Sequence, residues 1–361
     1  MDGTIIENET LNDIANFLGK GDQVKQITDL GLKGRLDFST SLENRVHLLK
    51  GLRLSSLEEA KPIVTFKKGA KKLFKVLKEN NFTTVLVSGG FKPITTYVQK
   101  YLSMDYEYSN VEKEGKLWTI TLNRPERMNA LHSPAHFELE EIFNNFSADP
   151  DAWVAIITGS GDRAFCAGND LRYQAEGGKM ERNSTGFAGL TSRFDLKKPV
   201  IAAVNGVAMG GGFEIALACD LIIASENARF ALPEPKVGLA ALAGGMHRLP
   251  RQIGMKRAMG MMLTGRTVEA KEGLSLGFIN EVVNHEDLMS SSKKWAESIM
   301  ECSPTSVRTT KDVAMSGLDH ASIESAMEQK YDSIIGLFSG EDFVEGPLAF
   351  SEKRKPKWTG K

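Results

Sequence analysis

The stretch Val204-Asn205-Gly206-Val207-Ala208-Met209-Gly210-Gly211-Gly212-Phe213-Glu214 constrains this chain more than any other. A β-rich run enters three successive glycines, and a helical pattern begins with a glutamate just inside it. The first N–H groups of a helix have no intrahelical partner, and that end of the helix carries partial positive charge. Without side chains in the way, an oxyanion or a developing enolate can approach those groups. The same glycines would also let a helix pack tightly on a strand, with Glu214 as a simple first-turn charge. The spacing alone leaves both readings open.

Two further segments bear on the first. Ala164-Phe165-Cys166-Ala167-Gly168-Asn169-Asp170 follows a strand pattern and the turn Gly159-Ser160-Gly161. It can supply a second backbone donor to the same anion, or be a plain loop. Arg229-Phe230-Ala231-Leu232-Pro233-Glu234 ends in a carboxylate directly after proline, which restricts the backbone approach. Paired with Glu214 on a different element, Glu234 makes a candidate two-carboxylate site. Burial and mutual repulsion would separate the pKa values of such a pair.

The surroundings alternate. Apolar β-type runs at 153–158, 199–204 and 221–224 are separated by helical patterns at 135–146 and 212–218, which argues for an α/β fold. From residue 251 the pattern is mostly helical, with candidates at 251–263, 290–300, 305–315 and 321–338. The first part differs. Helical spacing at 10–18 and 67–78 is joined by one strand at 83–87, which ends at Ser88-Gly89-Gly90. A β-rich hairpin pattern then opens near Val111. The 361 residues leave room for two domains, divided near Asn110 into 1–110 and 111–361. No Pro/Gly/Ser-rich tether marks the join.

Charge excludes some partners. The 45 basic and 46 acidic residues nearly cancel, so no global field draws the chain to nucleic acid or to an acidic membrane. No apolar run is long enough to span a bilayer, and the opening Met-Asp-Gly-Thr is not a secretory signal. Cys166, Cys219 and Cys302 lack C-x-x-C spacing, which suggests neither a zinc site nor a disulfide framework, and a cytoplasmic setting is expected. Lys67, Lys68, Lys71, Lys72, Lys75 and Lys78 could bind an anion, or form a solvated helix face. Cys166 reads as a small packing residue and His247 as a helix-terminal or surface histidine. The basic run Lys353-Arg354-Lys355-Pro356-Lys357 could meet phosphates or be a solvated tail.

Taken as a set, these residues resemble a known family. Leu122-Asn123-Arg124-Pro125-Glu126-Arg127-Met128-Asn129-Ala130-Leu131 is similar to the L-N-R-P-x-x-x-N-A-L opening of the crotonase (enoyl-CoA hydratase/isomerase) superfamily. The F-C-A-G-N-D and N-G-V-A-M-G-G-G-F-E segments match its two oxyanion-hole motifs in order. Leu232-Pro233-Glu234 matches its second catalytic glutamate. Glu345-Gly346-Pro347 with 349–354 resembles its E-G-x-x-A-F-x-E-K-R ending. The resemblance implies a β/α spiral core with a helical C-terminal trimerisation region, in a homotrimer or hexamer. It implies an acyl-CoA substrate, with coenzyme A entering only as part of the thioester, and no metal or redox cofactor. Ala167 and Gly211 N–H would hold the thioester carbonyl. Glu234 would exchange the Cα proton, and Glu214 would orient and deprotonate water. Main chain at Arg127, Met128, Ala167, Gly168, Asn169, Asp170 and Gly211 would line the CoA path. Both glutamates together favour reversible hydration of a 2-enoyl-CoA, with isomerase, hydrolase and carnitinyl-CoA dehydratase chemistry as alternatives. The loop Val237-Gly238-Leu239-Ala240-Ala241-Leu242-Ala243-Gly244-Gly245 lacks the proline–glycine pair common in simple hydratases, which leaves the acyl group open.

Residues 1–110 resemble a second family. Met1-Asp2-Gly3-Thr4 with Glu9 looks like the D-x-D-G-T motif of haloacid dehalogenase-like phosphatases, and Val87-Ser88-Gly89-Gly90-Phe91 resembles their phosphate-binding serine motif. The intervening residues are similar to the helical cap of phosphoserine phosphatases. The nucleophilic aspartate would stand just before Met1, and the later lysine and magnesium motifs should follow Asn110. Phosphoryl transfer through an aspartyl intermediate needs both. The expectation is an incomplete, mostly helical segment whose Asp2, Glu9 and Ser88 are inactive remnants. Phosphomonoester hydrolysis, or a binding or assembly role, are its alternatives.

Overall fold

The computed structural model describes residues 3–32, 38–50, 59–79, 94, 97, 98, 101, 102, 108–179, 181 and 183–361. The chain divides into two compact units, 1–107 and 108–361.

In the first unit, Ile6 bridges Phe66 in antiparallel fashion. Helices α1 (Thr10–Phe17), α2 (Gly21–Leu32), α3 (Phe38–His47) and α4 (Ala70–Glu79) supply most of the described structure. Ile14, Ala15, Val24, Leu49, Ala60 and Ile94 form one apolar cluster. Ile6, Ala70, Val98 and Leu102 form another. Glu9 is exposed, and its carbonyl accepts from the Asp13 N–H at the start of α1. Asp2, Ser88 and the expected strand at 83–87 lie outside the described residues.

The second unit is built on two sheets. Strands β1 (Ser109–Glu114), β2 (Leu117–Leu122), β3 (Val154–Gly159), β5 (Val200–Val204), β7 (Leu221–Ser225) and β10 (Glu281–Val283) form one, in the order β1-β2-β3-β5-β7-β10. Strands β4 (Ala164–Cys166), β6 (Val207–Met209), β8 (Arg229–Ala231) and β9 (Val268–Glu269) form the other, in the order β4-β6-β8-β9. From β3 to β8 the chain therefore gives successive strands to alternate sheets. Short polar or glycine turns make the switches from β3 to β4, β5 to β6 and β7 to β8, while helical connections make those from β4 to β5 and β6 to β7. Between β5 and β6 lies Asn205-Gly206, where a Cβ on the glycine would sit 2.4 Å from the Arg163 carbonyl oxygen. Asn110 pairs with Thr121 inside the first sheet, so residues 108–110 belong to this unit and not to the preceding one.

The larger sheet is apolar because it is covered. Leu117, Val154, Ile156, Ile201, Ala203 and Ile223 pack against Leu288 and Ala296 of the helix Leu288–Met300. Full burial of each large aliphatic side chain contributes roughly 1.5–3 kcal/mol.

The helical C-terminal part differs in detail from its sequence pattern. The run expected at 251–263 is two helices, Gly245–Ile253 and Met255–Thr264, split at Gly254 with φ +82°. The run expected at 321–338 is Ile323–Glu328 and Asp332–Ser339, because Gln329 and Tyr331 are extended. The helix Glu341–Ser351 follows. Its Asp342 is buried and accepts hydrogen bonds from Ser303 Oγ, Thr305 Oγ1 and the backbone of Thr359 and Gly360. Arg354, expected to be free for phosphates or solvent, is paired with Glu345 and Glu352. Among the described residues no helix is long and apolar enough to cross a membrane.

Candidate active site

Three neighbouring parallel strands of the smaller sheet, β4, β6 and β8, end side by side. Their C-terminal ends lead into Ala167–Asp170, Gly210–Glu214 and Leu232–Glu234. Ligands of parallel α/β sheets bind outside such carboxyl ends. The topology thus brings together the three segments that the sequence singled out.

The middle segment starts the helix Gly211–Ala218 behind Gly210, whose φ of +53° suits glycine. The Gly210 N–H donates to the Ala231 carbonyl. No acceptor among the described residues takes the Gly211 N–H. The first segment lies directly against it. A Cβ on Gly168 would stand 3.1 Å from Gly211 N and 2.7 Å from Met209 O, and Gly168 itself has φ +91°. A Cβ on Gly212 would overlap the Cys166 carbonyl oxygen at 1.9 Å. Glycine at 168 and 212 is what allows the two segments to touch.

Donor assignment changes here. Ala167 was expected to supply one open N–H, but that group donates to Met128 O at 3.0 Å. The reason is pairing: residues 128–131 run beside the segment, with Leu131 N–H on Gly168 O and Asp170 N–H on Leu131 O. Asn169 is the residue of this stretch whose N–H has no acceptor among the described residues. Asp170 is occupied as well. Its carboxylate accepts from Tyr173 N–H at the start of the helix Leu171–Ala175, and it pairs with Arg124 at 2.8 Å. Arg127 and Met128 sit half-buried at the turn that precedes the 128–131 run.

Two buried amides hold this arrangement. Asn129 Nδ2 donates to Ser160 O and Ala164 O, and its Oδ1 accepts from Arg124 N–H. Asn205 Nδ2 donates to Gly161 O and to the same Ala164 O, and its Oδ1 accepts from Gly159 N–H. Sequence reading assigned neither a role, although both stand in the quoted motifs.

The carboxylates differ in their surroundings. Glu214 is 3% exposed, and its Oε1 accepts from Gly245 N–H at 2.8 Å. Burial pushes its pKa up; the Gly245 N–H opposes this, and the neighbouring Glu234 charge adds to it, leaving the carboxyl at about 7. Burial raises Glu234 too. Its Oε1 would lie 2.9 Å from a Cβ on Gly210, and its Oε2 is buried without a hydrogen-bond partner among the described residues. Glu214, with its carboxyl at about 7, and Glu234, raised by burial, stand near two open backbone donors and can exchange protons with a bound carbonyl compound.

Cys166 is fully buried, and burial pushes its thiol up to about 12, so it is no nucleophile at neutral pH. His247 is exposed. Among the described residues no group of three His, Cys, Asp or Glu side chains is placed to hold a metal ion.

Residues 112–361 match the family described as enoyl-CoA hydratase/isomerase. Residues 1–164 match that described as haloacid dehalogenase-like hydrolase, so 112–164 fall in both. The chain is 43% identical to a carnitinyl-CoA dehydratase of Proteus mirabilis over 253 residues, covering 68% of this chain and 96% of that protein. It is 41% identical to one of Escherichia coli O157:H7 over 263 residues, covering 71% and 99%. The crystal structure of enoyl-CoA hydratase from Mycobacterium tuberculosis H37Rv aligns with TM-score 0.67 and 35% identity, covering 70% of this chain and 99% of that one.

Proposed function

The chain belongs to the enoyl-CoA hydratase/isomerase family and is a lyase-type enzyme, and we propose that it adds water reversibly to a 2-enoyl-CoA. The observation that carries this reading is the pair of raised carboxyls, Glu214 in the first turn of the helix that Gly211 opens and Glu234 with its Oε1 against Gly210. In the hydration direction ionised Glu214 takes a proton from water, whose oxygen bonds Cβ. Electron density moves to the thioester oxygen, which Gly211 and Asn169 N–H stabilise as an enolate. Protonated Glu234 gives its proton to Cα. One such backbone donor is worth about 10²–10³ in rate.

The substrate panel that tests this contains crotonyl-CoA, crotonobetainyl-CoA and carnitinyl-CoA. Hydration consumes the enoyl thioester absorbance and places ¹⁸O from labelled water at Cβ. An isomerase or thioesterase would leave Cβ without solvent oxygen. Dehydration of carnitinyl-CoA is the second reading, and the 43% identity over nearly the whole of one such dehydratase favours including it.

We assign this activity to residues 111–361 together with the strand residues just before them. A homotrimer or hexamer would cover the apolar side chains now open in the C-terminal helices, such as Ile323 at 81% and Phe350 at 87% exposure. Three free thiols, two of them buried, fit a reducing compartment such as the cytoplasm.

A further inference from the structure

Phe187 lies in a short segment that carried no signal in the sequence. Its ring tip reaches the backbone of Gly211. A Cβ on Gly211 would meet Phe187 Cζ at 2.5 Å, Cε1 at 2.6 Å and Cε2 at 3.0 Å. The ring therefore fills the volume that any side chain at 211 would need. It is only partly buried, and it stands against the Cα whose N–H is open. A carbonyl oxygen accepting from that N–H would sit about 2.9 Å from the nitrogen. The carbon next to that carbonyl is then within van der Waals reach of the ring.

The backbone under the ring is held in a conformation it would not choose freely. Gly186 and Gly189 have φ +81° and +62°, and Ala188 between them has φ +57°, which is uncommon for a residue with a Cβ. Strain of this kind persists where its surroundings impose it. Here the Ala188 N–H donates to His136 Nδ1 at 3.0 Å, and the His136 ring meets Phe187 edge-on at 4.4 Å. Asn183 Nδ2 donates to His136 O, and Thr185 Oγ1 to Glu140 Oε1 at 2.7 Å. Gly189 is pressed against the backbone of Glu140, where a Cβ would stand 2.3 Å from its nitrogen. All these partners lie on the helix Ser133–Ala148. That helix sets the ring, and the ring is set against the proposed carbonyl donor.

We propose that Phe187 determines specificity at the acyl Cα, with its ring excluding substrates branched at that carbon. The proposal rests on acyl-CoA binding at the Gly211 N–H. Discrimination of one methyl group by an apolar pocket amounts to about 10–200-fold. The test uses the full chain, with Phe187→Ala and Phe187→Leu. Two ratios are measured: kcat/KM for (E)-2-methylbut-2-enoyl-CoA over crotonyl-CoA, and affinity for 2-methylbutanoyl-CoA over butanoyl-CoA, which cannot be hydrated. Both ratios are expected to rise about tenfold or more in Phe187→Ala and by less in Phe187→Leu. Unchanged ratios in either folded variant, checked by thermal unfolding, would overturn the proposal. A wild-type chain that hydrates neither enoyl thioester, but whose saturated-thioester ratio still shifts in the variants, would sink the hydration reading and leave the pocket assignment standing.

Discussion

Gly245 N–H donates to Glu214 Oε1 at 2.8 Å, so the loop that leaves Glu234 returns to hold the other carboxylate. The loop departs from the proline–glycine pattern of simple hydratases, yet it still ends on this contact. A Cβ on Gly245 would lie 3.1 Å from Glu214 Oε1, which ties glycine at 245 to the carboxylate's position.

Replacement of either carboxylate should reduce turnover with different signatures. Glu214→Gln and Glu234→Gln are each expected to lower kcat by about 10²–10⁴, the usual contribution of a positioned acid or base. Glu234→Gln should also abolish exchange of the Cα proton with heavy water in a saturated acyl-CoA. Wild-type exchange in that variant would remove Glu234 from its assigned step.

The pH profile follows from the Glu214 carboxyl at about 7. As the base toward water it must be ionised, so kcat/KM for hydration should rise with pH through about 7, and it should fall again where Glu234, which must carry its proton, ionises. The apparent value belongs to the coupled pair. Stability moves the other way. The folded pKa is raised above the ordinary 4.5, so the native state binds more protons than the unfolded state between those values. That contribution is complete below about 4.5 and is lost as pH rises through about 7. Denaturant titrations across this window should show falling stability in the wild type and a flatter line in Glu214→Gln.

Gly168→Ala should be more damaging to activity than to folding. The added methyl meets Met209 O at 2.7 Å and Gly211 N at 3.1 Å, at a φ of +91°. It would push apart the two segments that carry the open N–H groups. A loss of about 10²-fold or more in kcat is expected, comparable to removing one oxyanion donor. Activity close to wild type would mean that those N–H groups do not act on the substrate.

Asp342→Ala should destabilise the C-terminal part. Burial would raise this carboxyl, but hydrogen bonds from Thr359, Ser303, Gly360 and Thr305 outweigh burial and hold it low. Removal leaves those donors unpaired, at a cost of about 1–3 kcal/mol. Because the pKa is depressed, the contribution is present at neutral pH and is lost as pH falls below the ordinary aspartate range. Thermal unfolding at neutral pH and at low pH measures both statements, and equal midpoints for variant and wild type at neutral pH would refute the first.

Expression of residues 108–361 alone should give the full activity of the longer chain, whereas a start at Val111 should be less stable. Ser109 and Asn110 pair with Leu122 and Thr121 in the sheet, and Tyr108 O accepts from Asn123 N–H. Comparing the two fragments by unfolding midpoint and specific activity separates these outcomes.

The site was legible in the sequence where its chemistry depends on local pattern. Three glycines before a helix, and a glutamate after a proline, announce themselves within a few residues. Ala167 shows the limit. Which N–H of 167–170 stays open depends on pairing with 128–131, almost forty residues away, and local spacing carries no trace of that register. The switching of strands between two sheets was hidden for the same reason, since each apolar run reads as a strand whichever sheet receives it. Gly254 and the extended Gln329 divided helices whose apolar spacing ran on across the break. Phe187 was missed because its importance comes from a glycine it does not neighbour in sequence.

Asn129 and Asn205 both close on the Ala164 carbonyl, one from the turn before the helix Ser133–Ala148 and one from the switch between sheets. Their bonds are complete without any ligand. The N–H groups proposed to face a thioester oxygen would thus be oriented before substrate enters, and reorganisation need not accompany charge development. Binding should therefore strengthen with the negative charge on that oxygen. An acyl-CoA analogue that carries a stable enolate should be held far more tightly than the neutral thioester it resembles.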